Sequence, residues 1–464
     1  MKNKELNKMI EKPVFPLLMS MAIPPMISML IQSLYNIVDS MFVAQISEEA
    51  LTAVSLAFPM QALIVAFSVG IGVGVNSYIA RKLGEKDYDE ANSAVSHGLI
   101  MAVVMAITFV IVVFIVIDPF FHLFTNQTAI IADAKIYTLI CVIFCFGSFI
   151  HICIEKVFQS TGSMIFPMLM QALGAIVNII LDPIFIFGYF GMPAMGVAGA
   201  AVATVIGQCV AMIFSITIFL RGDFAVKIDI KKFHFSWLTI KKIAIIAIPS
   251  TCMNALGSIL VMGLNSILIT FSNTAVSLYG VYYKLQTFVF MPASGLTQGA
   301  MPIMGFNYGA GNKQRLKETL RISMLVCAII MGFGTLLFLL FPQTMLSLFN
   351  ASPEMIKMGI PALQIICFSF LPATVGFILP TLFQAMGKGG YSLIVFLLRQ
   401  FIITLLSAYL LSSIFGLQGV WYSFILAETI AAIVSIILYR RLCKTETIFV
   451  EEKEKIVVED IIKV

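Results

Sequence analysis

Apolar stretches recur along the whole chain, separated by short segments that hold most of the charged residues. An α-helix rises about 1.5 Å per residue, so about 20 apolar residues cross a bilayer core that is roughly 30 Å thick. Twelve stretches reach this length, near residues 14–43, 52–81, 92–117, 130–155, 163–188, 195–220, 240–271, 274–305, 318–342, 355–382, 390–415 and 417–441. The pattern predicts an all-α integral membrane protein with twelve transmembrane helices.

The second half of the chain repeats the first at a constant offset of 225 residues. The identities include Ala22-Ile23-Pro24 with Ala247-Ile248-Pro249, Gln61 with Gln286, Gly70 with Gly295, Gly74 with Gly299, and Gly84 with Gly309. Chance matches between apolar segments would be mostly Leu, Ile or Val, whereas Gly, Pro and Gln have specific backbone or polar roles. Internal repeats of this length in a membrane protein are typical of secondary transporters.

The repeat predicts a 6+6 arrangement of two six-helix lobes. The predicted parts are an N-lobe at 1–220, a cytoplasmic linker at 221–241, a C-lobe at 242–444 and a cytoplasmic tail at 445–464. Phenylalanines beside lysines in the linker suggest a segment that lies on the membrane surface, and a solvated connector is the alternative.

Composition and charge narrow the class of protein. With 60% hydrophobic and 11% charged residues, the chain is too apolar for a soluble protein, in which about 25% of residues are charged. Lysine and arginine are concentrated in alternate loops, which predicts that both termini are cytoplasmic in the cell membrane. The net charge of +5 therefore reflects topology and gives no reason to expect nucleic-acid binding. The eight cysteines include no CxxC pair, so we expect no disulfide or structural metal.

Small and kink-forming residues occupy matching positions in the two repeats. Gly70 with Gly74, and Gly295 with Gly299, have GxxxG spacing, which favours close helix packing, with a bending point as the alternative. The adjacent Pro24 and Pro25 make the first span deformable because each lacks a backbone N–H.

Ionisable residues inside a span cost about 2.5 to 3.5 kcal/mol at the bilayer centre and are usually functional. Glu155 and Lys156 lie at a cytoplasmic helix end, where snorkelling explains them. Arg399 and Glu428 in the second repeat are a candidate structural ion pair. Asp39 and Asp182 remain, and the offset aligns them with Leu264 and Ser407, so only the first repeat carries these acids.

The two aspartates share their helix faces with other polar side chains at a similar depth. Counted along the helices, these residues lie roughly 6 to 14 Å below the outer membrane edge. They are Gln32, Tyr35, Asn36 and Asp39 on span 1, Tyr137 on span 4, Asn178 and Asp182 on span 5, and Thr204 on span 6. Carboxylate and neutral oxygens bind a proton or Na⁺, whereas isolated interhelical hydrogen bonds would explain two carboxylates poorly.

We therefore predict a coupling-cation site centred on Asp39 and Asp182, whereas interhelical hydrogen bonds alone would account for Asn178 and Thr204. The surrounding polar residues, which are candidates for supporting this site or contacting substrate, are Gln32, Tyr35, Asn36 and Tyr137. A possible Na⁺ would bind at Asp39 and Asp182. An adaptable apolar cavity is predicted from Met253 and Met262 on span 7 and Lys284, Phe288 and Met291 on span 8, with lipid-facing packing as the alternative.

Several motifs resemble those of the multidrug and toxic compound extrusion (MATE) transporters of bacteria, over nearly the whole chain. They are SLYNIVDSMFV at 33–43, FQSTG at 158–162, VNIILDPIFIFG at 177–188, GVAGAAVAT at 196–204 and GFNYGAGNKQR at 305–315. The resemblance implies a V-shaped bundle of two lobes that exports cationic or amphipathic drugs in exchange for H⁺ or Na⁺. It also implies that Asp39, Asn178, Asp182 and Thr204 form the N-lobe cation site.

Span 7 carries no acidic residue, unlike the branch of this family that has a second cation site in the C-lobe. The chain is therefore more similar to branches coupled through the N-lobe, including multidrug exporters of Gram-positive bacteria. The expected partners are small drugs and the lipid bilayer, the expected state is a monomer, and no cofactor is expected beyond the coupling ion. The choice between H⁺ and Na⁺ stays open.

Two other functions agree less well with the sequence. A lipid-linked oligosaccharide flippase of the related superfamily would need a basic cavity, and the spans offer only Lys284 and Arg399 as bases. A membrane enzyme is disfavoured because the sequence has no P-loop, HExxH or nucleophile-elbow motif, and its four histidines are scattered.

Overall fold

The computed structural model describes residues 8–228, 233–349 and 351–446, and this part of the chain is built from helices and turns without β-strands. Lys2 and Lys4, which contributed to the predicted topology, and residues 229–232 of the linker lie outside the described residues, as does the predicted tail from residue 447 onward. The α-helices are α1 Val14–Ala44, α2 Glu48–Gly84, α3 Tyr88–His122, α4 Thr128–Ile143, α5 Phe146–Ser160, α6 Ile165–Phe187, α7 Val197–Arg221, α8 Trp237–Ala255, α9 Gly257–Leu268, α10 Asn273–Gly309, α11 Lys313–Leu340, α12 Pro342–Ser347, α13 Pro353–Ile366, α14 Phe370–Ala385, α15 Gly389–Leu397, α16 Ile403–Phe415 and α17 Leu417–Thr445.

These helices agree with the predicted twelve spans. In the described part of the chain, ten segments are long and apolar enough to cross a membrane, and α4 with α5 forms an eleventh that is bent by 47°. The remaining long helix, α10, has 37 residues and is more polar. Six spans therefore fall in each repeat, and the chain is a multi-pass membrane protein.

Four of the spans are interrupted, and in the tenth a 3₁₀ turn at Cys367–Ser369 separates α13 from α14. The fourth breaks between α4 and α5, the seventh breaks at Leu256 between α8 and α9, and the eleventh contains a π-helical turn at Leu398–Ile402. Thr404 supports the π-helical turn because its hydroxyl donates to the carbonyl of Arg399. Such turns leave the regular hydrogen-bond ladder and often mark functional or packing constraints.

The duplication is visible in how equivalent helices begin. Asp87 caps α3 by accepting a hydrogen bond from the backbone N–H of Glu90 at 3.2 Å. Asn312, at the equivalent position of the second repeat, caps α11 by accepting from the N–H of Arg315 at 3.0 Å. Both side chains satisfy an N–H that has no partner inside its helix, so the two repeats keep the same turn after their second spans.

Packing divides the chain into two compact units. Ser20–Leu83 and Asp87–Ala255 make up most of the first unit. The second contains the described residues from Leu256 onward, together with Pro13–Met19 and Gly84–Lys86. The boundary thus falls inside the seventh span, at the break between α8 and α9. The predicted lobe limits describe the sequence repeat, whereas these units describe packing.

The described residues of the linker pack partly against the first unit. Phe235 and Trp237 are 64% and 71% exposed, so the choice between a membrane-surface segment and a solvated connector stays a prediction. Phe224 is only 4% exposed, and its ring packs edge-on against Phe158 at a centroid distance of 4.8 Å. The backbone N–H of Lys227 donates to Asn92 Oδ1 at 2.7 Å. Further along, the N–H of Ser236 donates to Nε2 of the buried His97 at 2.8 Å.

The snorkelling interpretation is wrong for Lys156, which is buried, whereas Glu155 is only half-buried. Lys156 is 6% exposed, and its Nζ lies 3.1 Å from Glu155 Oε1 and 3.0 Å from Gln159 Oε1. Gln159 Nε2 donates to the same Glu155 oxygen at 2.8 Å. The ammonium group is therefore neutralised within the first unit instead of extending to the interface.

Candidate cation-coupling site

Two carboxyl groups meet inside the first unit. Asp39 on α1 and Asp182 on α6 face each other within hydrogen-bonding reach, and Asp182 is fully buried. The carboxyl oxygen Oδ1 of Asp39 is buried and accepts no hydrogen bond from any described residue. Two carboxylates that share a low-dielectric site repel each other, so this contact requires a proton or another cation between them.

Asn178 connects Asp182 to the neighbouring helix α7. Its amide is assigned with the oxygen toward Thr204, because this orientation gives every donor an acceptor. The oxygen then accepts from both the backbone N–H and the hydroxyl of Thr204 at 3.2 Å, and the nitrogen donates to Asp182 Oδ2 at 3.2 Å. Asn178 and Thr204 are buried, so this network is shielded from solvent.

The helices α6 and α7 approach closely beside this network. A Cβ atom on Gly207 would lie 2.8 Å from the carbonyl oxygen of Gly174, and one on Gly174 would lie 3.3 Å from the carbonyl oxygen of Gly207. Glycine at these positions therefore lets the two backbones touch, which brings Asn178 within reach of Thr204.

Tyr137 and Tyr35 border the pair of aspartates. Tyr137 on α4 is 1% exposed, and its hydroxyl accepts a hydrogen bond from Gln61 Nε2 at 2.9 Å. Both tyrosines lie close enough to Asp39 to interact with it electrostatically. Gln61 on α2 was identified in the sequence only as part of the duplication, where its polarity inside an apolar span was the available signal.

The polar stripe of α1 is only partly directed into the site. Asp39 and Tyr35 are half-buried, whereas Gln32 and Asn36 are exposed. Among the described residues, neither exposed side chain is hydrogen-bonded to the site. The structure thus brings together Asp39, Asn178, Asp182 and Thr204, with Tyr35 and Tyr137 beside them, and leaves Gln32 and Asn36 at the surface of α1.

The arrangement supplies oxygen atoms for a hard cation. Carboxylate, amide and hydroxyl oxygens are ligands that suit a proton or Na⁺, and no cluster of three or more His, Cys, Asp or Glu occurs among the described residues. Whether the site couples transport stays a prediction at this point.

The glycines and prolines of the predicted hinge have identifiable neighbours. A Cβ atom on Gly70 would lie 2.9 Å from the carbonyl oxygen of Ala247, and one on Gly74 would lie 2.6 Å from that of Ile243, so α2 and α8 pack closely. In the second repeat, Gly295 and Gly299 are buried in α10. Pro24 and Pro25 are buried within the continuous helix α1, where the hydroxyl of Ser28 donates to the Pro24 carbonyl at 3.1 Å.

The residues predicted to line a cavity differ in exposure. Met262 and Phe288 are 65% and 59% exposed, Lys284 is exposed, and Met253 and Met291 are half-buried. Exposure in a membrane protein fits both a cavity and a lipid-facing surface, so their role stays a prediction.

The predicted ion pair of the second repeat is confirmed. Arg399 Nε lies 2.5 Å from Glu428 Oε1, both residues are 7% exposed, and the guanidinium group stacks over the ring of Phe377 at 4.5 Å. Arg399 occupies the position equivalent to Gly174, so an ion pair replaces the glycine contact of the first repeat. Because Arg399 is neutralised, it does not supply the free base that a pyrophosphate-binding cavity would need.

Comparison with known proteins was made for the whole chain. The MatE family model matches residues 24–184 and 249–410, once in each repeat. The multidrug export protein MepA of Staphylococcus haemolyticus (strain JCSC1435) is 28% identical over 448 residues, covering 94% of this chain and 96% of its own. MepA of Staphylococcus aureus (strain MW2) shows the same identity and coverage.

Solved structures agree with this assignment. A MATE protein crystallised in a bent conformation superimposes with a TM-score of 0.89 at 26% identity, covering 95% of this chain and 98% of that chain. The outward-facing conformation of a multidrug resistance MATE family transporter of the MOP superfamily gives 0.88 at 27% identity, with the same coverage. From the match of the family model to both repeats, the chain belongs to the MatE family.

Proposed function

We propose that this protein is a multidrug exporter of the cell membrane that expels cationic or amphipathic drugs in exchange for a cation bound at Asp39 and Asp182. The single observation that carries the proposal is the contact between the half-buried Asp39 on α1 and the buried Asp182 on α6. The drug substrates rest on the similarity to MepA, whose name states multidrug export.

The geometry favours a proton as the coupling ion. A hydrogen bond between two carboxyl groups needs one proton, because two carboxylates have no donor to share. Loss of that proton leaves two like charges in contact, and they separate or recruit new donors. Since Asp39 lies on α1, which carries Pro24 and Pro25, repulsion from Asp182 acts on a helix that can bend.

Sodium would use the same oxygens in a different way. The two carboxylates, the Asn178 amide oxygen and the Thr204 hydroxyl supply four oxygen-bearing groups of three kinds within one site. A sodium-driven exporter would therefore bind Na⁺ with both carboxyl groups ionised, and the two modes differ in their response to pH and to sodium.

The test uses the purified protein in liposomes that contain ethidium, with a pH gradient imposed in the presence or absence of sodium. Proton coupling predicts efflux that follows the pH gradient without sodium, and sodium dependence at clamped pH would reject it. Asp39→Asn and Asp182→Asn should each abolish gradient-driven efflux. Asp118→Asn is the matched control, because Asp118 is an exposed acid of the same repeat that pairs with Lys135 and lies outside the site.

The proposal fails if Asp39→Asn exports ethidium at the wild-type rate. Restored export of a lipid-linked sugar by a protein that moves no drug would instead support a flippase. Both results can be read only if each variant is inserted and folded, which binding of ethidium to the purified variant establishes.

A further inference from the structure

Gln61 connects the second span to the proposed coupling site. Its side-chain nitrogen donates one hydrogen to the hydroxyl oxygen of Tyr137 at 2.9 Å and directs the other toward Cys141 Sγ at 3.5 Å. Both acceptors lie on α4, one helical turn apart. Gln61 therefore holds the Tyr137 side chain through a hydrogen bond whose direction is fixed, since an amide nitrogen only donates.

This direction determines what the Tyr137 hydroxyl can do. Because its oxygen already accepts from Gln61, the hydroxyl hydrogen is turned away from Gln61 and stays available for another acceptor. Tyr137 is buried, so water does not readily supply that acceptor. Asp39 Oδ1 is a buried carboxyl oxygen on the neighbouring α1 without a hydrogen bond from any described residue, and the two side chains interact electrostatically.

We propose that Gln61 is a positioning residue that keeps the Tyr137 hydroxyl ready to donate to Asp39 when Asp39 becomes ionised. In the conformation described here, Asp39 shares its contact with Asp182 and does not bond to Tyr137. When the shared proton leaves, the Asp39 carboxylate gains a charge and needs a donor, which Tyr137 supplies. Gln61 and Tyr137 thus determine how readily the site releases its cation, an inference that rests on the proposed function.

Removing either the Gln61 amide or the Tyr137 hydroxyl should raise the affinity of the site for its proton. A hydrogen bond to a charged group contributes enough to change an equilibrium constant about tenfold. Gln61→Leu and Tyr137→Phe should each move the half-maximal point of proton-driven ethidium efflux by about one unit, toward higher pH. Both variants should still bind ethidium in a fluorescence assay at fixed pH, which shows that they are folded.

The two residues act through one hydrogen-bond chain, so their effects should not add. The double variant Gln61→Leu with Tyr137→Phe should show the same pH profile as Tyr137→Phe alone. Gln286→Leu is the matched control, because the duplication places Gln286 at the equivalent position of a repeat that lacks the aspartates. Its pH profile should be that of the wild type.

A purely structural role for Gln61 predicts a different result. Gln61→Leu would then lower efflux by the same factor at every pH, and that outcome, or additive effects in the double variant, would overturn the inference. The proposed function is tested separately, because it fails if the Asp39→Asn variant still exports ethidium. An inactive Asp39→Asn together with a wild-type pH profile for Gln61→Leu would reject only the role of Gln61.

Discussion

The side-chain amide of Asn178 accepts the hydroxyl hydrogen of Thr204 at 3.2 Å, across the contact between α6 and α7. This bond fixes the amide so that its nitrogen points at Asp182 Oδ2. The carboxyl pair is therefore oriented from a third helix, and the hydroxyl of Thr204 matters more than its methyl group.

Thr204→Val should impair coupling because it has the same shape but cannot donate to Asn178. The buried amide oxygen would lose a partner, and we expect gradient-driven ethidium efflux in liposomes to fall about tenfold or more. Thr204→Ser retains the hydroxyl and should keep most of the activity. Equal activity of the two variants would show that the hydroxyl has no part in coupling.

The close contact of Gly174 with Gly207 leads to a prediction about stability. Gly207→Ala places a Cβ atom 2.8 Å from the Gly174 carbonyl, so α6 and α7 must separate, and overpacking of this kind costs about 1 to 3 kcal/mol. Thermal unfolding in detergent should show a lower midpoint and efflux should fall. Gly332→Ala on α11 is the control, because a Cβ atom there would meet nothing within 4 Å. Its midpoint should be unchanged or higher.

Helical periodicity and the duplication were enough to predict the spans and a site at Asp39 and Asp182, because these features depend on local spacing and depth. The place of Asn178 and Thr204 in that site was predicted from the resemblance to MATE transporters. The role of Gln61 depends on the packing of α2 against α4, which no sequence spacing encodes. The docking of the linker likewise depends on contacts between distant segments, such as Ser236 with His97. Helix propensity and hydropathy describe each helix alone. Contacts between helices could therefore be predicted only for polar side chains that lie at a similar depth in the membrane.

The linker should lose its protection from hydrogen exchange when His97 is replaced by alanine. His97 Nε2 accepts the Ser236 N–H, while its Nδ1 bonds the Ser93 carbonyl at 2.8 Å, so the neutral ring is held from both sides. Mass spectrometry of peptides that contain Ser236 should show faster exchange in His97→Ala. The Lys227 N–H is the internal control, since it is bound by Asn92 and should keep its protection. Unchanged exchange at Ser236 would contradict the docking role of His97.

The stability contributed by Glu446, at the end of the last helix, should depend on pH. Burial alone raises the pKa of Glu446, but hydrogen bonds from Lys388 and Tyr308 and the Lys388 charge outweigh it, so the pKa is lowered. A lowered carboxyl pKa stabilises the fold above the unfolded value of about 4.3, and this contribution is lost as the pH falls through the folded value.

Glu446→Gln should therefore lower the unfolding midpoint at pH 7, and the difference from the wild type should shrink as the pH falls below about 4. Glu318→Gln, which removes an exposed acid on α11, is the matched control and should leave the midpoint unchanged at both pH values. A Glu446→Gln difference that is the same at pH 7 and at acid pH would show that packing, and not charge, holds Glu446.

The pair of Arg399 and Glu428 should behave as a structural element of the second unit. Removing one partner leaves a buried charge without compensation, which costs about 3 to 5 kcal/mol, so Arg399→Met and Glu428→Leu should each lower the unfolding midpoint strongly. The double variant should recover most of the stability, because two apolar side chains of similar volume need no counter-charge. Ethidium efflux by the same variants distinguishes a structural role of the pair from a role in transport. A stable double variant that still exports ethidium supports a structural pair, whereas a stable but inactive one would show that this charge pair takes part in transport.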